Sequence, residues 1–179
     1  MADVDLRLPT ALVLLLLSAV QYSSADLNYI NAVCSDLTLP REPEYCVRFL
    51  KLDQRSYDAT TQEEFSYIAL DIITKNYTRT RNFLHDMASR HQEEPIQIPS
   101  DRCVFWYDTY LPKLSEAKAL LEKKAYIDAS LKVDKAADAP GICNSEFSDA
   151  DVPSPVYRTN LYLLIDSQIT QDLFRFNIR

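Results

Sequence analysis

A single glycine, Gly141, serves a chain of 179 residues, and this scarcity narrows the fold more than any other feature. The two-residue turns that join antiparallel strands need backbone at positive φ, where glycine costs least. A chain with one glycine is poorly suited to an all-β fold. Its prolines cluster between segments, and those segments carry apolar residues at helical spacing. The reading is therefore all-α. Gly141 lies in "DAPGIC", two residues before Cys143. There it is expected to end a helix in the left-handed conformation and to turn the chain toward a partner cysteine.

The amino terminus reads as a removable segment. "ALVLLLLSAV" (Ala11 to Val20) is ten residues of apolar character, against the roughly 20 that a membrane-spanning helix needs. Small residues follow at Ser23 to Ala25. This is the pattern of a secretory signal peptide over residues 1–25, cleaved after Ala25, which places the mature protein outside the cell. The remaining 154 residues suit one domain with a sizeable core. The formal charge of −7 becomes −6 once Asp3, Asp5 and Arg7 are removed. An acidic balance argues against a nucleic-acid partner and against binding an anionic polysaccharide through bulk charge. It fits a protein partner with a basic surface.

Four cysteines, Cys34, Cys46, Cys103 and Cys143, lie in the mature part. An even number in a secreted chain reads as two disulfides. Three pairings are open, and the sequential one, Cys34–Cys46 with Cys103–Cys143, is expected because the near and far pairs are separate in sequence. Neither pair has the short spacing of a zinc clip and the chain has only two histidines, so no metal is expected.

Residues 26–56 read as a small helical hairpin, "LNYINAVC" and "PEYCVRFL" joined across Leu39 to Glu42, with Pro43 at a first helical position. A bundle over residues 60–179 follows. Its first helix starts from a capping box, Thr60 with Glu63 or Thr61 with Glu64, and runs to about Ser89. Its inner face is read as Phe65, Ile68, Ala69, Ile72, Phe83, Leu84 and Met87. The second helix is expected to be capped by Ser100 or Asp101, with a seam of Cys103, Tyr107, Tyr110, Leu114, Ala117 and Leu121. "EKKA" makes a turn. The third helix repeats the seam with Tyr126, Ala129, Val133 and Ala137. The last, capped by Ser154 with Pro155 in its first turn, lines its inner face with Leu161, Leu164, Ile165, Ile169, Leu173 and Phe176. Four amphipathic helices with short connections predict an up-down-up-down four-helix bundle.

The span "RCVFWYDTYLPKLSEAKALLEKKAYIDASLKVDKAADAPGICNSEF" resembles the core of the plant invertase and pectin methylesterase inhibitors. The shared pattern is a cysteine, Tyr107 four residues on, Leu114 and Ala117 on the inner face, Tyr126 ending a turn, alanines before the fourth cysteine, and then Phe147. The spacing of Cys103 and Cys143 and the amino-terminal pair Cys34 and Cys46 also fit. The chain departs from the family at Asn144-Ser145-Glu146, where an acidic pair is usual, at Pro112 inside the second helix, and at Asp134 and Lys135. The resemblance implies a secreted, non-enzymatic, cofactor-free inhibitor that acts as a monomer. Its target would be a pectin methylesterase or a cell-wall or vacuolar acid invertase of plants, held in a non-covalent 1:1 complex.

No nucleophile elbow or phosphate-binding loop occurs in the sequence. His85 and His91 read as surface or capping residues. Function is expected on an outward face. Helical phase turns Phe105 and Leu120 out of the second helix and Leu131 out of the third, with Trp106 at the border. Around them lie Thr109, Lys113, Glu116, Asp128 and Lys132. Trp106 alternatively packs beneath the hairpin or the proline loop. The sequon "NYT" offers Asn76 for glycosylation, although its phase near the inner face equally suits an asparagine bonded within the bundle. A second reading of the chain is a secreted bundle that binds a small ligand or acts as an allergen-like protein without inhibitory activity.

Overall fold

A computed structural model describes residues 28–37 and 43–178. The expected signal segment and the join across Leu39 to Glu42 lie outside the described residues. Helical residues 28–35 (α1) and Pro43–Leu50 (α2) are bridged by Cys34–Cys46, with Cα atoms 5.7 Å apart. Pro43 opens α2, where a missing N–H is no loss. A 3₁₀ turn, Gln54–Tyr57, leads to α3, Gln62–Arg90. Thr61 and Glu64 form the box that starts α3: the Thr61 hydroxyl accepts from the Glu64 N–H, and the Glu64 carboxylate accepts from the Thr61 N–H at 2.9 Å. His91 takes the position that ends α3.

Helix α4 spans Gln97–Leu121. It starts before the expected caps, and Ser100 is a buried residue within it. Pro99 falls in the first turn, where backbone N–H groups have no intrahelical acceptor, so proline does not delay the helix. Pro112 lies inside α4 on the exposed side, where water can take the carbonyl it frees. A turn with Lys124 at φ 57° leads to α5, Tyr126–Ala136.

The expected third helix is in fact two, α5 and α6 (Asp138–Asp149), broken at Ala137. Pro140, in the first turn of α6, has no N–H to continue the α5 ladder. This overturns the expectation for the lone glycine. Gly141 is an interior residue of α6, its φ is not positive, and a Cβ there would meet nothing within 4 Å. Among the described residues, positive φ falls on Glu93, Lys124 and Asp151. Cys143 reaches Cys103, Cα to Cα 4.7 Å, because α6 lies alongside α4.

The last helix, α7, spans Tyr157–Phe176. It starts later than expected. Ser154 does not cap it; its hydroxyl accepts from the Val156 N–H in the preceding turn.

The four rods are α3, α4, the broken α5–α6 and α7, and each packs on two others. Consecutive rods run antiparallel. Arg81 meets Asp108 while Lys118 meets Asp71 across α3 and α4. Asn160 meets Asn144 while Arg175 meets Ser130 across α7 and the broken rod. No strand occurs among the described residues. The core holds Phe65, Ile73, Tyr77, Leu84, Tyr107, Leu114, Leu121, Val133, Phe147 and Phe174. Ile30, Phe49 and Leu50 extend it beneath the hairpin.

The inner faces differ from the expected stripes in their polar members. Phe83 is exposed and Met87 half-buried, whereas Tyr77 and Thr80 are buried. Ala136 is buried and Ala137 only partly. On α7, Leu161 is exposed and Leu164 and Phe176 are half-buried; the buried face includes Asn160, Leu163, Ser167, Thr170 and Phe174. These polar groups are satisfied in the interior. Tyr107 Oη donates to Asn160 Oδ1 at 2.7 Å, Asn160 Nδ2 donates to Asn144 Oδ1 at 2.8 Å, and the Tyr77 and Ser167 hydroxyls bond at 3.0 Å. Half-buried Asn144 thus ties α6 to α7. Burial holds the Tyr77 and Tyr107 phenols well above their ordinary pKa and therefore neutral.

Candidate protein-binding surface

The outer face of α4 presents Phe105, Trp106, Thr109, Lys113 and Glu116 at helical spacing. Phe105 is 61% exposed. Exposed apolar side chains are common on this chain, Leu52, Ile98 and Ile127 among them, and what sets Phe105 apart is its aromatic neighbours. Its ring rests edge-on against Trp106, centroids 5.1 Å apart, and Trp106 stacks on Tyr110 at 6.2 Å. Trp106 Nε1 donates to Glu146 Oε1 at 2.8 Å, and Arg102 bonds the other oxygen of that carboxylate at 3.1 Å. Trp106 is therefore tethered to α6, rather than packed beneath the hairpin or the proline loop, and it buttresses Phe105. The Thr109 hydroxyl donates to the Phe105 carbonyl. This spends its hydrogen on its own helix.

One turn on, Glu116 takes Lys113 from its own helix and Lys132 from α5, the latter at 2.6 Å. The hydrogen bonds of Lys113 and then Lys132 hold the Glu116 carboxyl below its usual range. This part of the surface keeps its charge in a mildly acidic medium. Lys135 sits over the Tyr110 ring, 5.4 Å from its centroid, and pairs with Asp138. Lys132, Lys135, Tyr110, Trp106 and Phe105 thus form one strip along the seam of α4 with α5 and α6.

Leu131 and Asp128 are exposed on α5, Leu131 at 56%. Leu120, expected to point out, is half-buried against the core. Phase alone finds Phe105 and Leu131; the Trp106–Glu146 tether spans 40 residues and has no local signal.

Asn76 stands apart from this strip. It is half-buried, midway along α3, and lines a surface groove with residues of α2 and α7. His85 is exposed and His91 bonds Glu94 at 3.1 Å. Among the described residues no group of His, Cys, Asp or Glu is placed to hold a metal ion, and no helix is long and apolar enough to cross a membrane.

Fold and surface together define a disulfide-tied helical bundle that presents a braced aromatic strip. The chain belongs to the plant invertase/pectin methylesterase inhibitor family, whose model matches residues 28–171. Two solved structures share the fold. One is a mutant form of a pectin methylesterase inhibitor from Arabidopsis, with 17% identity and a TM-score of 0.67, covering 82% of this chain and 95% of that one. The other is a pectin methylesterase inhibitor from Arabidopsis thaliana, with 16% identity and a TM-score of 0.61, covering 83% and 95%. No match was found among curated proteins.

Proposed function

We propose that this protein is a secreted inhibitor that covers the substrate cleft of a cell-wall pectin methylesterase in a non-covalent 1:1 complex. An acid invertase is the family's other target. Membership of the inhibitor family supports the class. The observation that carries the surface is Phe105, a large exposed aromatic held still by Trp106, itself bonded to Glu146. A braced aromatic has less rotamer freedom to lose on binding, so more of the gain from burying its ring reaches affinity. Thr109, Lys113, Glu116 and Lys132 border it, and Leu131 and Asp128 extend the surface along α5. Inhibition needs no chemical step, only exclusion of substrate from the cleft.

The test is a titration of the oxidised protein, Asp26 to Arg179, against one pectin methylesterase and one cell-wall invertase at pH 5 to 6. Inhibition of the esterase is expected. Phe105→Ala should weaken it by tenfold or more, roughly the loss of one central interface aromatic, with the helical spectrum unchanged. A folded protein that inhibits neither enzyme sinks the proposal.

A further inference from the structure

A groove of about 650 Å³ opens between α2, α3 and α7, away from the aromatic strip. Its base holds Asp166, a carboxylic acid only 4% exposed. Asp166 Oδ1 accepts from Tyr45 Oη at 2.8 Å; Oδ2 has no hydrogen-bond partner among the described residues. One wall is a pair of tyrosines, Tyr45 stacked on Tyr162 with ring planes 15° apart. Tyr162 is 53% exposed, so much of its ring is free. Arg48 and Arg79 stand at the edge.

Neither arginine is tied to a described acid, a state they share with Arg158 of α7. Arg55, Arg81 and Arg102 each bond a carboxylate. Arg48 and Arg79 form no ion pair with a described residue, although acids outnumber bases by 26 to 19. Arg48 lies over the Tyr45 ring, 5.6 Å from its centroid.

We infer that this groove binds a small carboxylate carried on a ring, either a sugar acid or an aromatic acid. A guanidinium offers paired donors that match the two oxygens of a carboxylate. The ring would lie on Tyr162, since both sugars and aromatics present an apolar face that stacks on a phenol ring. Asn76 and Thr159, which also line the groove, supply polar groups beside that ring.

Asp166 makes binding depend on pH. Burial pushes its carboxyl up to about 6, against the opposing hydrogen bond from Tyr45. Below that pH it is a neutral donor toward the ligand; above it, a buried negative charge that repels an anion. The charged and titratable groups facing it are Tyr45 and Arg48 from α2, Arg79 from α3 and Tyr162 from α7. Phenols and guanidiniums titrate well above neutrality, so Asp166 alone sets the dependence between pH 5 and 7.5.

The experiment titrates the oxidised protein with glucuronate and with benzoate, reading tyrosine ring signals by NMR, with glucuronamide and benzamide as neutral counterparts. Saturation by at least one acid is expected, about tenfold tighter than by its amide and tighter at pH 5 than at pH 7.5. The acid that saturates names the source class. Arg79→Gln should weaken binding about tenfold with the melting temperature unchanged, and Asp166→Asn should flatten the pH dependence. Failure of both acids to saturate, equal binding of acid and amide, or an unaffected Arg79→Gln variant overturns the inference. A glycan on Asn76 in the secreted protein, seen by intact mass, also overturns it, because the chain's own sugar would then fill the groove. The inhibition assay probes the other face, so the two proposals fail separately.

Discussion

Two tyrosines reach α7 from two different packings and meet different partners. Tyr107, on α4, donates to the neutral amide of Asn160 in a fully buried site, and Asn160 passes the contact on to Asn144 of α6. Tyr45, on α2, donates to the carboxylate of Asp166 beside an open groove. The first tie joins three rods of the bundle through groups that carry no charge near neutral pH. The second joins the hairpin to the bundle through one that does. This tie within the bundle is therefore indifferent to pH near neutrality, whereas the seating of the hairpin responds to it. The disulfides follow the same division: Cys103–Cys143 closes within the bundle, whereas Cys34–Cys46 closes within the hairpin and leaves its docking to packing and to Tyr45.

The most damaging test strikes the neutral tie. Asn160→Ala removes the acceptor of a buried phenol and the partner of Asn144, and leaves a small cavity on the bundle axis. An orphaned hydroxyl together with lost packing should cost roughly 3 kcal/mol. Urea unfolding followed by circular dichroism reads this, and the loss should be the same at pH 5 and pH 8. A loss that changed with pH would break the contrast between the two ties.

The next test strikes the ionisable tie. Asp166 has a folded-state pKa raised from 3.8 to about 6. The stability that its protonated form contributes is fully present below about pH 4 and is lost as pH rises through 6. Asp166→Asn keeps an acceptor for Tyr45 and removes the charge. The variant should therefore gain on the wild type as pH rises from 4 to 8, by roughly 2 kcal/mol in all. Other acids run the opposite way. Arg55 holds Asp53 below the usual carboxylate range and Arg81 does the same to Asp108, so those contributions are lost as pH falls. Only the difference between variant and wild type isolates Asp166, and a flat difference across this range would place its carboxyl in the ordinary range.

Local signals were readable in the chain, and those set by distant contacts were not. The capping box at Thr61 and Glu64 lies within four residues and reads directly, as do the amphipathic seams of α4 and α5. The inner face of α7 does not, because apolar periodicity passes over Asn160, Ser167 and Thr170, which are buried only because Tyr107, Tyr77 and a helix carbonyl satisfy them. The groove was invisible for the same reason: Tyr45 and Asp166 are 121 residues apart. Exposure of Phe105 and Leu131 follows from phase, but the brace of Phe105 depends on Glu146, which lies on another helix. The break between α5 and α6 comes from Pro140, which stops the α5 ladder, and not from the neighbouring glycine.

The lone glycine gives the smallest and most specific prediction. Among the described residues, positive φ falls on Glu93, Lys124 and Asp151, which adopt it at some cost. Gly141 does not adopt it. It sits in α6 with open space where a Cβ would go, between Pro140 and the bonded Cys143. Glycine inside a helix costs up to about 1 kcal/mol relative to alanine, through the backbone freedom it retains when unfolded. Gly141→Ala should therefore stabilise the protein by about 0.5 to 1 kcal/mol, a rise in melting temperature of a few degrees for a domain of this size, with the pH profile of the hairpin unchanged. A loss of stability instead would mean that the backbone at position 141 leaves the helical region. The route from α5 to Cys143 would then depend on a glycine turn, and not on the break at Ala137.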